Sequence, residues 1–541
     1  MERVLIIIPA RGNSKGIPRK NLRSLAGKPL IYYSIQTALQ AKVANTQIDV
    51  FVSSEDEEIL TISKKFGANT IRRNKNYSKD STTLDEVICN EVRQLDGDYD
   101  IIVTMQPTSP LLRVGSLEKA IEKMIAHPEL DSMLSATNDS HLTWLQKGGK
   151  FIPNYEKRVN RQQLPQIFKE TGGFIMCRSH MIDKNTRIGR NVDLYELVGE
   201  EAIDIDTFTD WNICEFYLKQ SRIVFVVSGY KEIGMGHVYN VLSIANEILN
   251  HELLFLVDKK SQLAYNKIAE NNYLVVMQEE EDLVDAARRL SPDVVINDRL
   301  DTEASEVVRM KEFASTVINF EDLGEGALHA DLVFNAMYPE KEKLPNHFFG
   351  LEYFILRDEF LFSQQHQVKP EVNTILLCFG GVDPSNLTTR VLQVLNKNTN
   401  AQSMEIKVIV GMGYSDLGAL KETYPHLEIV NNVSNISDYI GAADLVFTSG
   451  GRTTFECACL GVPTIVLCQN QRETTHFFAK DEYGFRNLGL GTEVSDEEIN
   501  AAFDDCLDES TRKEMSNTLL SSNLKNGKKA VMQKIKNLID K

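Results

Sequence analysis

The chain has 541 residues, of which 42% are hydrophobic and 25% are charged, and its formal net charge is −17. This length predicts about three to four compact units of ordinary globular composition and excludes a small disulfide-stapled scaffold. An acidic chain lacks the basic face that nucleic acids require, so we expect no nucleic acid partner. Small anionic ligands are not excluded, because they need only local positive charge.

The cysteines and the N-terminus indicate the compartment. The eight cysteines are scattered and form neither a CxxC pair nor a zinc-ligand spacing. We interpret them as buried, reduced thiols of a cytoplasmic protein. The apolar run in MERVLIIIPARG is too short for a signal peptide, and no apolar stretch approaches the roughly 20 residues of a membrane span. We therefore expect no membrane association.

Short apolar runs alternate with amphipathic stretches along the first part of the chain. The pattern predicts strands at Val4–Pro9, Ile48–Ser53 and Asp100–Met105, and helices at Leu30–Ala41 and Leu84–Leu95. Such alternation is typical of a parallel sheet with helices on both faces. A strand followed by a glycine loop opens again at Arg222, so we predict a domain boundary after Ser221.

The rest of the chain predicts two further α/β sheets, separated by the polar connector HQVKPEVN. Strands are predicted at Phe255–Asp258, Val294–Asp298, Val317–Phe320, Thr374–Phe379, Ile406–Val410, Leu445–Thr448 and Thr464–Leu467. The tail Ser510–Lys541 has a helical pattern. We therefore predict an α/β protein with domains at 1–221, 222–368 and 369–541. Ligands of open α/β sheets bind beyond the carboxyl ends of the strands, which is where the glycine loops fall.

The first glycine loop, PARGNSKGIPRKN, leaves a buried strand. It carries two glycines and four cations, which are Arg11, Lys15, Arg19 and Lys20. Glycines let backbone amides approach a polyphosphate, and cations neutralise it. The glycine spacing is wrong for a Walker A loop. On charge alone, a basic surface turn is the alternative interpretation.

Further motifs follow this loop in order: LAGKPLI at 25–31, DST at 80–82, QPTSPL at 106–111, RQQLPQIF at 161–168 and DIDT at 204–207. Together they resemble the CMP-sialic acid synthetase family, cytidylyltransferases that activate nonulosonic acids. The resemblance covers nearly all of residues 1–221 and implies a Rossmann-like nucleotidyltransferase domain. A KDO cytidylyltransferase is the nearest rival. The family usually has two glycines where this chain has Gly12 and Asn13.

The resemblance implies roles for the residues that match the family's motifs. Arg11 and Lys20 would face the triphosphate of CTP at the catalytic centre. The other implied contacts are Asn21, Arg73 and Ser81 to the nucleotide, and Gln106 and Arg161 to the sugar acid. A homodimer formed through this domain is also implied.

The DIDT motif places Asp204 and Asp206 two residues apart. Alternate residues of a strand point to the same side, so both carboxylates could face one site. Two carboxylates with phosphate oxygens are a usual way to hold Mg²⁺, which would offset charge on the α-phosphate and on the leaving pyrophosphate. Alternatively, one of these aspartates caps the helix that begins near Thr207.

The second glycine loop is GYKEIGMGH, residues 229–237. Gly234 and Gly236 match the first two glycines of a dinucleotide fingerprint, but Tyr239 takes the third position, which argues against NAD. His237 begins the predicted helix Val238–Leu249. A helix N-terminus disfavours imidazolium, so this histidine is predicted to be neutral and able to accept a proton. A structural hydrogen bond is the alternative role.

Four more motifs follow: NDRLDT at 297–302, NFEDLG at 319–324, FGGVDPSN at 379–386 and TSGGRTTFECACLGVPTIV at 448–466. This part resembles the nucleotide-sugar hydrolase of pseudaminic acid synthesis, a relative of the GT-B glycosyltransferases. That family acts on a UDP-linked 2,4-diacetamido-2,4,6-trideoxy-altrose. The resemblance implies a GT-B-like pair of doubly wound domains over residues 222–541.

This second resemblance makes His237 the catalytic residue that activates water, with Asp298 assisting it or binding sugar hydroxyls. Gly380 and Gly381 would approach the pyrophosphate of the UDP-sugar. The implied phosphate loop and ribose or uracil contact are Ser449, Gly450, Gly451, Arg452, Thr453 and Glu456. The family commonly has a basic residue where this chain has Asn240.

The sequence thus predicts a bifunctional enzyme of nonulosonic acid biosynthesis. One half would transfer CMP from CTP to the sugar acid, and the other would hydrolyse a UDP-sugar. A separate synthase would condense the released hexose with phosphoenolpyruvate. Two alternatives replace the hydrolase, one with a UDP-sugar glycosyltransferase and the other with a non-catalytic nucleotide-sugar-binding module.

Overall fold

The structure is a computed structural model that describes residues 1–14, 16–78, 81–95, 97–340 and 343–539. The chain divides into two compact units, Met1–Gln220 and Ser221–Lys541. The observed boundary therefore follows Gln220, whereas the sequence analysis places it after Ser221.

The first unit begins with a strand and alternates strands with helices. Its strands are β1 (Glu2–Pro9), β2 (Ser24–Leu25), β3 (Lys28–Pro29), β4 (Thr46–Ser54), β5 (Asn69–Arg72), β6 (Ile101–Thr104), β7 (Ser132–Asn138), β8 (Trp144–Lys147), β9 (Lys150–Pro153), β10 (Phe168–Arg178) and β11 (Val192–Glu196). Its helices are α1 (Ile31–Gln40), α2 (Glu57–Lys65), α3 (Leu84–Val92), α4 (Val114–Ala126), α5 (His180–Asp183) and α6 (Phe208–Leu218).

The main sheet of this unit has the strand order β11-β7-β10-β6-β1-β4-β5. It is parallel, as predicted, except at β10, which runs antiparallel to both β6 and β7. The chain reaches β10 from β7 through the hairpin β8–β9 rather than through a helical crossover. Parallel strands require such a crossover, so the returning strand pairs antiparallel.

Strand β1 is buried on both faces of the sheet. Val4 and Ile8 pack in a cluster with Ile31 of α1, whereas Leu5 packs in another cluster with Ile88 of α3. Helices therefore cover both faces, which explains the continuous apolar run of this strand. The central position of β1 directs its carboxyl end, and the loop that follows, to the edge where ligands bind in such sheets.

The second unit continues the same alternation. Its strands are β12 (Arg222–Val227), β13 (Glu252–Val257), β14 (Val275–Met277), β15 (Val294–Asp298), β16 (Thr316–Phe320), β17 (Leu332–Asn335), β18 (His347–Phe349), β19 (Thr374–Cys378), β20 (Glu405–Val410), β21 (Glu428–Asn431), β22 (Leu445–Thr448), β23 (Thr464–Cys468) and β24 (Arg486–Leu490). Its helices are α7 (Gly236–Ala245), α8 (Gln262–Glu270), α9 (Leu283–Arg289), α10 (Ala304–Met310), α11 (Asp358–Phe362), α12 (Leu387–Lys397), α13 (Leu417–Thr423), α14 (Ile436–Ala442), α15 (Thr453–Leu460), α16 (Asp496–Asp505), α17 (Glu509–Ser521) and α18 (Gly527–Ile539).

These strands form two parallel sheets, with the orders β14-β13-β12-β15-β16-β17-β18 and β21-β20-β19-β22-β23-β24. In each sheet the chain adds strands on one side of the first strand, β12 or β19, and then crosses to its other side, as in doubly wound folds. The predicted α/β class is confirmed: one unit with a largely parallel seven-stranded sheet is followed by a unit with a pair of doubly wound parallel sheets.

The last helix, α18, follows the strands of the second sheet in the chain but packs against the first sheet. Val531 and Ile535 of α18 pack in the same cluster as Phe225 and Phe255 of the first sheet. A Cβ atom at Gly527, where α18 begins, would lie 2.0 Å from the carbonyl oxygen of Phe354, so only glycine fits there. The apolar face of α18, which lies inside the predicted domain 369–541, is therefore buried against the preceding domain, and the predicted domain bounds stay a prediction.

Two further expectations concern cysteines and membrane spans. All eight cysteines lie within the described residues and are buried, free thiols, as predicted. Among the described residues, no helix combines the length and apolar character needed to cross a membrane.

Candidate active sites

The first candidate site lies at the carboxyl end of β1, where the glycine loop meets the segment preceding α6. Lys20 Nζ donates a hydrogen bond to the Ile205 carbonyl oxygen at 2.6 Å and lies 3.9 Å from Asp206 Oδ1. Burial lowers the pKa of Lys20, while the charges of Asp206 and Asp204 raise it and that of Arg11 lowers it further. The structure thus brings the predicted cations and carboxylates together.

Short contacts hold the glycine loop against this segment. A Cβ atom at Gly16 would lie 2.8 Å from the Asp206 carbonyl oxygen, so the close approach requires glycine. The buried Asn21 side chain donates from Nδ2 to the Arg11 carbonyl oxygen at 2.9 Å. The Gly12 N–H donates to Glu55 Oε1 at 2.8 Å, so this predicted phosphate-binding amide already has an acceptor. Lys15 lies outside the described residues.

The two aspartates lie in an irregular segment and not on a strand, so that part of the prediction is wrong. The Asp206 side chain is 80% exposed. Asp204 is partly buried, and its Oδ1 atom has no hydrogen-bond partner among the described residues. Burial raises the pKa of Asp204, as does the neighbouring Asp206 charge. An unpartnered carboxylate oxygen beside a second carboxylate is a suitable ligand pair for a divalent cation.

The alternative role for these aspartates, capping of the next helix, is excluded. Thr207 is the N-cap of α6, and its hydroxyl accepts a hydrogen bond from the Asp210 N–H at 3.3 Å. The Asp210 side chain accepts in return from the Thr207 N–H at 2.7 Å. This capping box satisfies the start of the helix without either aspartate of the pair.

The predicted sugar-acid and remaining nucleotide contacts lie in three places. Gln106 follows β6, and its loop reaches the aspartate segment because the Ile205 N–H donates to the Thr108 carbonyl oxygen at 2.8 Å. Ser81 is exposed just before α3, and Arg161 is exposed in a short 3-10 turn. Among the described residues neither of these two side chains forms a hydrogen bond or an ion pair. Asp80, which precedes Ser81, lies outside the described residues.

Arg73 is buried and bonded to the protein. Its Nε atom donates to Glu91 Oε1 at 2.9 Å and to Ser53 Oγ at 3.1 Å, and Nη2 donates to the Ser53 carbonyl oxygen at 3.1 Å. The Glu91 side chain is fully buried. The ion pair joins the segment after β5 to α3, and the bonds to Ser53 join it to β4. The implied nucleotide contact of Arg73 stays a prediction.

We expect Glu91→Ala to destabilise the first unit by about 3–5 kcal/mol, because it removes the nearer counter-charge of the buried Arg73 guanidinium and leaves only Glu55, at 3.9 Å. The measurement is the midpoint of denaturant unfolding of the full chain. Glu58→Ala is the matched control, since it removes an acidic partner from the exposed ion pair with Arg19. Equal midpoints for the two variants would contradict a structural role for the Arg73–Glu91 pair.

The second candidate site is a cavity of about 560 Å³ between the two sheets of the second unit. This volume lies in the usual range for ligand pockets. The predicted residues that line it are His237, Gly380, Gly381, Ser449, Gly451, Arg452, Thr453 and Glu456. Every lining residue belongs to the second unit.

A buried histidine–aspartate pair lies on one side of this cavity. His237, near the start of α7, places Nδ1 2.5 Å from Oδ1 of Asp298, the last residue of β15. Asp298 is fully buried, and its other oxygen accepts from Asn240 Nδ2 at 2.7 Å. The pair fixes the imidazole ring and leaves Nε2 as the nitrogen that can exchange a proton with a ligand in the cavity.

The phosphate-binding elements predicted on the second sheet lie opposite. Gly380 follows β19 with a φ of 88°, a left-handed conformation that favours glycine. The loop 449–453 leads into α15, but the Gly450 N–H donates to Glu473 Oε2 at 3.1 Å. Burial raises the pKa of Glu473 to about 7. A carboxyl group therefore already occupies one amide of the predicted phosphate loop.

Two other predicted ligand contacts are bonded to the protein. Arg452 is half-buried, donates to the Ile355 carbonyl oxygen at 2.5 Å, and places its guanidinium 4.4 Å from the centre of the Phe354 ring. Glu456 accepts from Arg357 Nε at 2.8 Å. Their contacts to phosphate, ribose or uracil stay predictions.

Comparison with known proteins begins with family models. A cytidylyltransferase model matches residues 5–204, and a model of the glycosyltransferase family 28 C-terminal domain matches residues 375–538. The pseudaminic acid cytidylyltransferase of Campylobacter jejuni is 31% identical over 226 residues, which are 40% of this chain and 96% of that protein. The chain belongs to the cytidylyltransferase family.

Two other relatives cover comparable shares of the chain. An uncharacterized protein of Methanocaldococcus jannaschii is 32% identical over 275 residues, covering 46% of this chain and 56% of that protein. The N-acylneuraminate cytidylyltransferase A of Danio rerio is 33% identical over 216 residues, covering 39% and 49%. The chain thus spans about half the length of these two curated relatives.

In this cytidylyltransferase family member, the sequence analysis noted Asn240 only as the loss of a basic residue and missed three further residues of the second site. Asn240 bonds Asp298, Arg357 pairs with Glu456, and Glu473 occupies the Gly450 amide. Glu321, in the NFEDLG motif, lines the cavity directly after β16. The position of Glu321 at the carboxyl end of a parallel strand is the signal that could have identified it.

Proposed function

We propose that the first unit transfers CMP from CTP to a nonulosonic acid and releases pyrophosphate. The observation that carries this proposal is the grouping of Arg11, Lys20, Asp204 and Asp206 at the carboxyl end of β1. The family match over residues 5–204 supports it, as do relatives named for N-acylneuraminate and pseudaminic acid.

The chain's own residues act by binding and by charge. The anomeric hydroxyl of the sugar acid attacks the α-phosphorus of CTP, a new P–O bond forms, the bond to the leaving pyrophosphate breaks, and the hydroxyl proton passes to solvent. Lys20, held by the Ile205 carbonyl oxygen, and Arg11 stabilise the charge that builds up on pyrophosphate. Arg161 pairs with the carboxylate of the sugar acid, and Gln106 binds its hydroxyls.

Asp204 and Asp206 would hold Mg²⁺. The donor set fits, because Oδ1 of Asp204 is buried without a hydrogen-bond partner among the described residues and both ligands are hard oxygen donors. Within the described part of the chain, no group of three or more histidine, cysteine or acidic side chains could hold a metal, so phosphate and water oxygens would complete the coordination. When bound, Mg²⁺ supplies charge neutralisation at the phosphates.

We propose that the second unit cleaves a UDP-sugar at its anomeric carbon. His237 takes a proton from an acceptor hydroxyl, the acceptor oxygen bonds to the anomeric carbon, and UDP leaves. The match to glycosyltransferase family 28 favours transfer to an acceptor other than water. Hydrolysis is the second candidate, because the buried His237–Asp298 pair suits deprotonation of water as well.

Two assays test these proposals. The full chain is incubated with CTP and sialic, legionaminic or pseudaminic acid, and we expect one CMP-sugar and an equal amount of pyrophosphate. It is also incubated with UDP-sugars, with and without a sugar acceptor. A glycoside formed only with acceptor supports transfer, and free hexose without acceptor supports hydrolysis. Lack of UDP release under both conditions would support the non-catalytic alternative.

The predicted homodimer also remains a proposal. The hairpin β8–β9 exposes Trp144, Leu145, Phe151 and Ile152, which are between 39% and 68% exposed. Clustered exposed apolar side chains are typical of a surface that a partner covers. A separate nonulosonate synthase remains the expected supplier of the sugar acid.

A further inference from the structure

Glu321 is a buried, strained residue that lines the cavity of the second unit. Only 4% of the residue is exposed, and its φ is 51°, a left-handed conformation that is unusual for a side chain of this size. Its Oε2 atom is buried and has no hydrogen-bond partner among the described residues. Burial of an unpaired carboxyl oxygen and a left-handed backbone both cost stability, and such costs concentrate at ligand sites.

The charged and titratable groups around Glu321 come from several elements. Asp298 lies at the end of β15, Arg452 just before α15, Arg472 after β23 and Tyr338 after β17. Burial and the Asp298 charge raise the pKa of Glu321 to about 8, although both arginines and the Met337 N–H act against this. The carboxyl group is therefore mostly protonated at neutral pH. The carboxyl group accepts from the Met337 N–H, and its Oε2 atom has no partner among the described residues, so a proton on Oε2 would be available to a ligand.

We propose that Glu321 recognises the sugar of the nucleotide sugar, by donating a hydrogen bond from Oε2 to a carbonyl or hydroxyl oxygen on that sugar. The inference rests on the proposed function of the second unit. It adds a substrate-binding residue to a site whose catalytic pair is His237 and Asp298.

The position of Glu321 favours contact with the sugar over contact with the other parts of the nucleotide sugar. It lies beside Asp298, whose carboxylate holds His237, so a group bound by Glu321 is next to the reacting centre. The glycine loops that would take the phosphates follow β19 and β22 of the other sheet. A phosphate placed between Glu321 and Asp298 would meet a buried carboxylate, whereas a neutral sugar would not be repelled.

The test compares binding of UDP, UDP-glucose and UDP-N-acetylglucosamine to the full chain by calorimetry at pH 7. We expect Glu321→Ala to weaken the tightest-bound UDP-sugar about tenfold, the usual scale for one lost hydrogen bond to a buried group. UDP alone should bind unchanged. Glu321→Gln should stay within about twofold of wild type, because its amide still donates a hydrogen bond.

The pH dependence separates binding from a structural role. As the pH rises from 7 to 9, the Glu321 carboxyl loses its proton and can no longer donate, so wild-type affinity for the UDP-sugar should fall while that for UDP does not. Glu321→Gln should remove this loss. Glu325→Ala is the matched control, because Glu325 follows the same strand but is exposed.

Each result bears on one proposal. The thermal midpoint of Glu321→Ala should change little, because loss of the unpartnered Oε2 atom offsets loss of the acceptor for the Met337 N–H. A lower midpoint with equal losses of UDP and UDP-sugar affinity would overturn the inference in favour of a structural role. Wild-type protein that binds UDP but no UDP-sugar more tightly would also overturn it. Failure of wild type to bind UDP at all would instead overturn the proposed function.

Discussion

Asp206→Ala should lower pyrophosphate release from CTP by at least about a thousandfold. The Asp206 carboxylate lies beside Lys20 and Asp204 at the edge of the first sheet, where it would hold Mg²⁺ against the phosphates. Loss of a metal ligand removes several kcal/mol of charge stabilisation in the transition state, which corresponds to this loss of rate. The measurement is pyrophosphate release at saturating CTP and sugar acid over a range of Mg²⁺ concentrations.

The fold of this variant should be unaffected, which makes the result interpretable. Thr207 and Asp210 cap α6 without help from Asp206, and the Asp206 side chain is largely exposed. The unfolding midpoint should therefore match that of wild type. Asp183→Ala, at an exposed aspartate of α5, should retain full activity. Unchanged turnover of Asp206→Ala at low Mg²⁺ would refute the metal role.

Much of the fold could be predicted because its central strands are buried on both faces. Such strands read as continuous apolar runs, and the strands predicted at Val294–Asp298 and Leu445–Thr448 have the observed bounds. The strands β8 and β9 are exposed at every position, so no apolar pattern marks them. The hairpin that they form turns β10 antiparallel, and the sequence pattern therefore missed that reversal.

The candidate sites, like the fold, could be predicted from the sequence only in part. Groups that follow strands of a parallel sheet meet at one edge, and this rule predicts that His237, after β12, lies near Asp298 at the end of β15. Ion pairs inside the protein follow no such rule. Arg357 and Glu456 are 99 residues apart in the chain, and only the packing of two sheets makes them partners. The sequence alone therefore predicts a ligand contact for Glu456, whereas in the structure Glu456 accepts a hydrogen bond from Arg357.

His237→Ala should lower UDP release by about 10²–10⁴-fold, the usual contribution of a general base. Pyrophosphate release from CTP should be unchanged, because every residue that lines the His237 cavity belongs to the second unit. The control is His329→Ala, which removes an exposed histidine of the same unit. Parallel loss of both activities in His237→Ala would contradict two separate active sites.

Asp298→Asn tests how the histidine is held. The aspartate fixes Nδ1 as the protonated nitrogen, so that Nε2 faces the cavity as the acceptor. An asparagine can instead donate its amide N–H to Nδ1, which favours the tautomer with a protonated Nε2 and removes the base. We therefore expect Asp298→Asn to lose nearly as much UDP release as His237→Ala while it binds UDP normally. Full activity in Asp298→Asn would mean that His237 acts without this carboxylate.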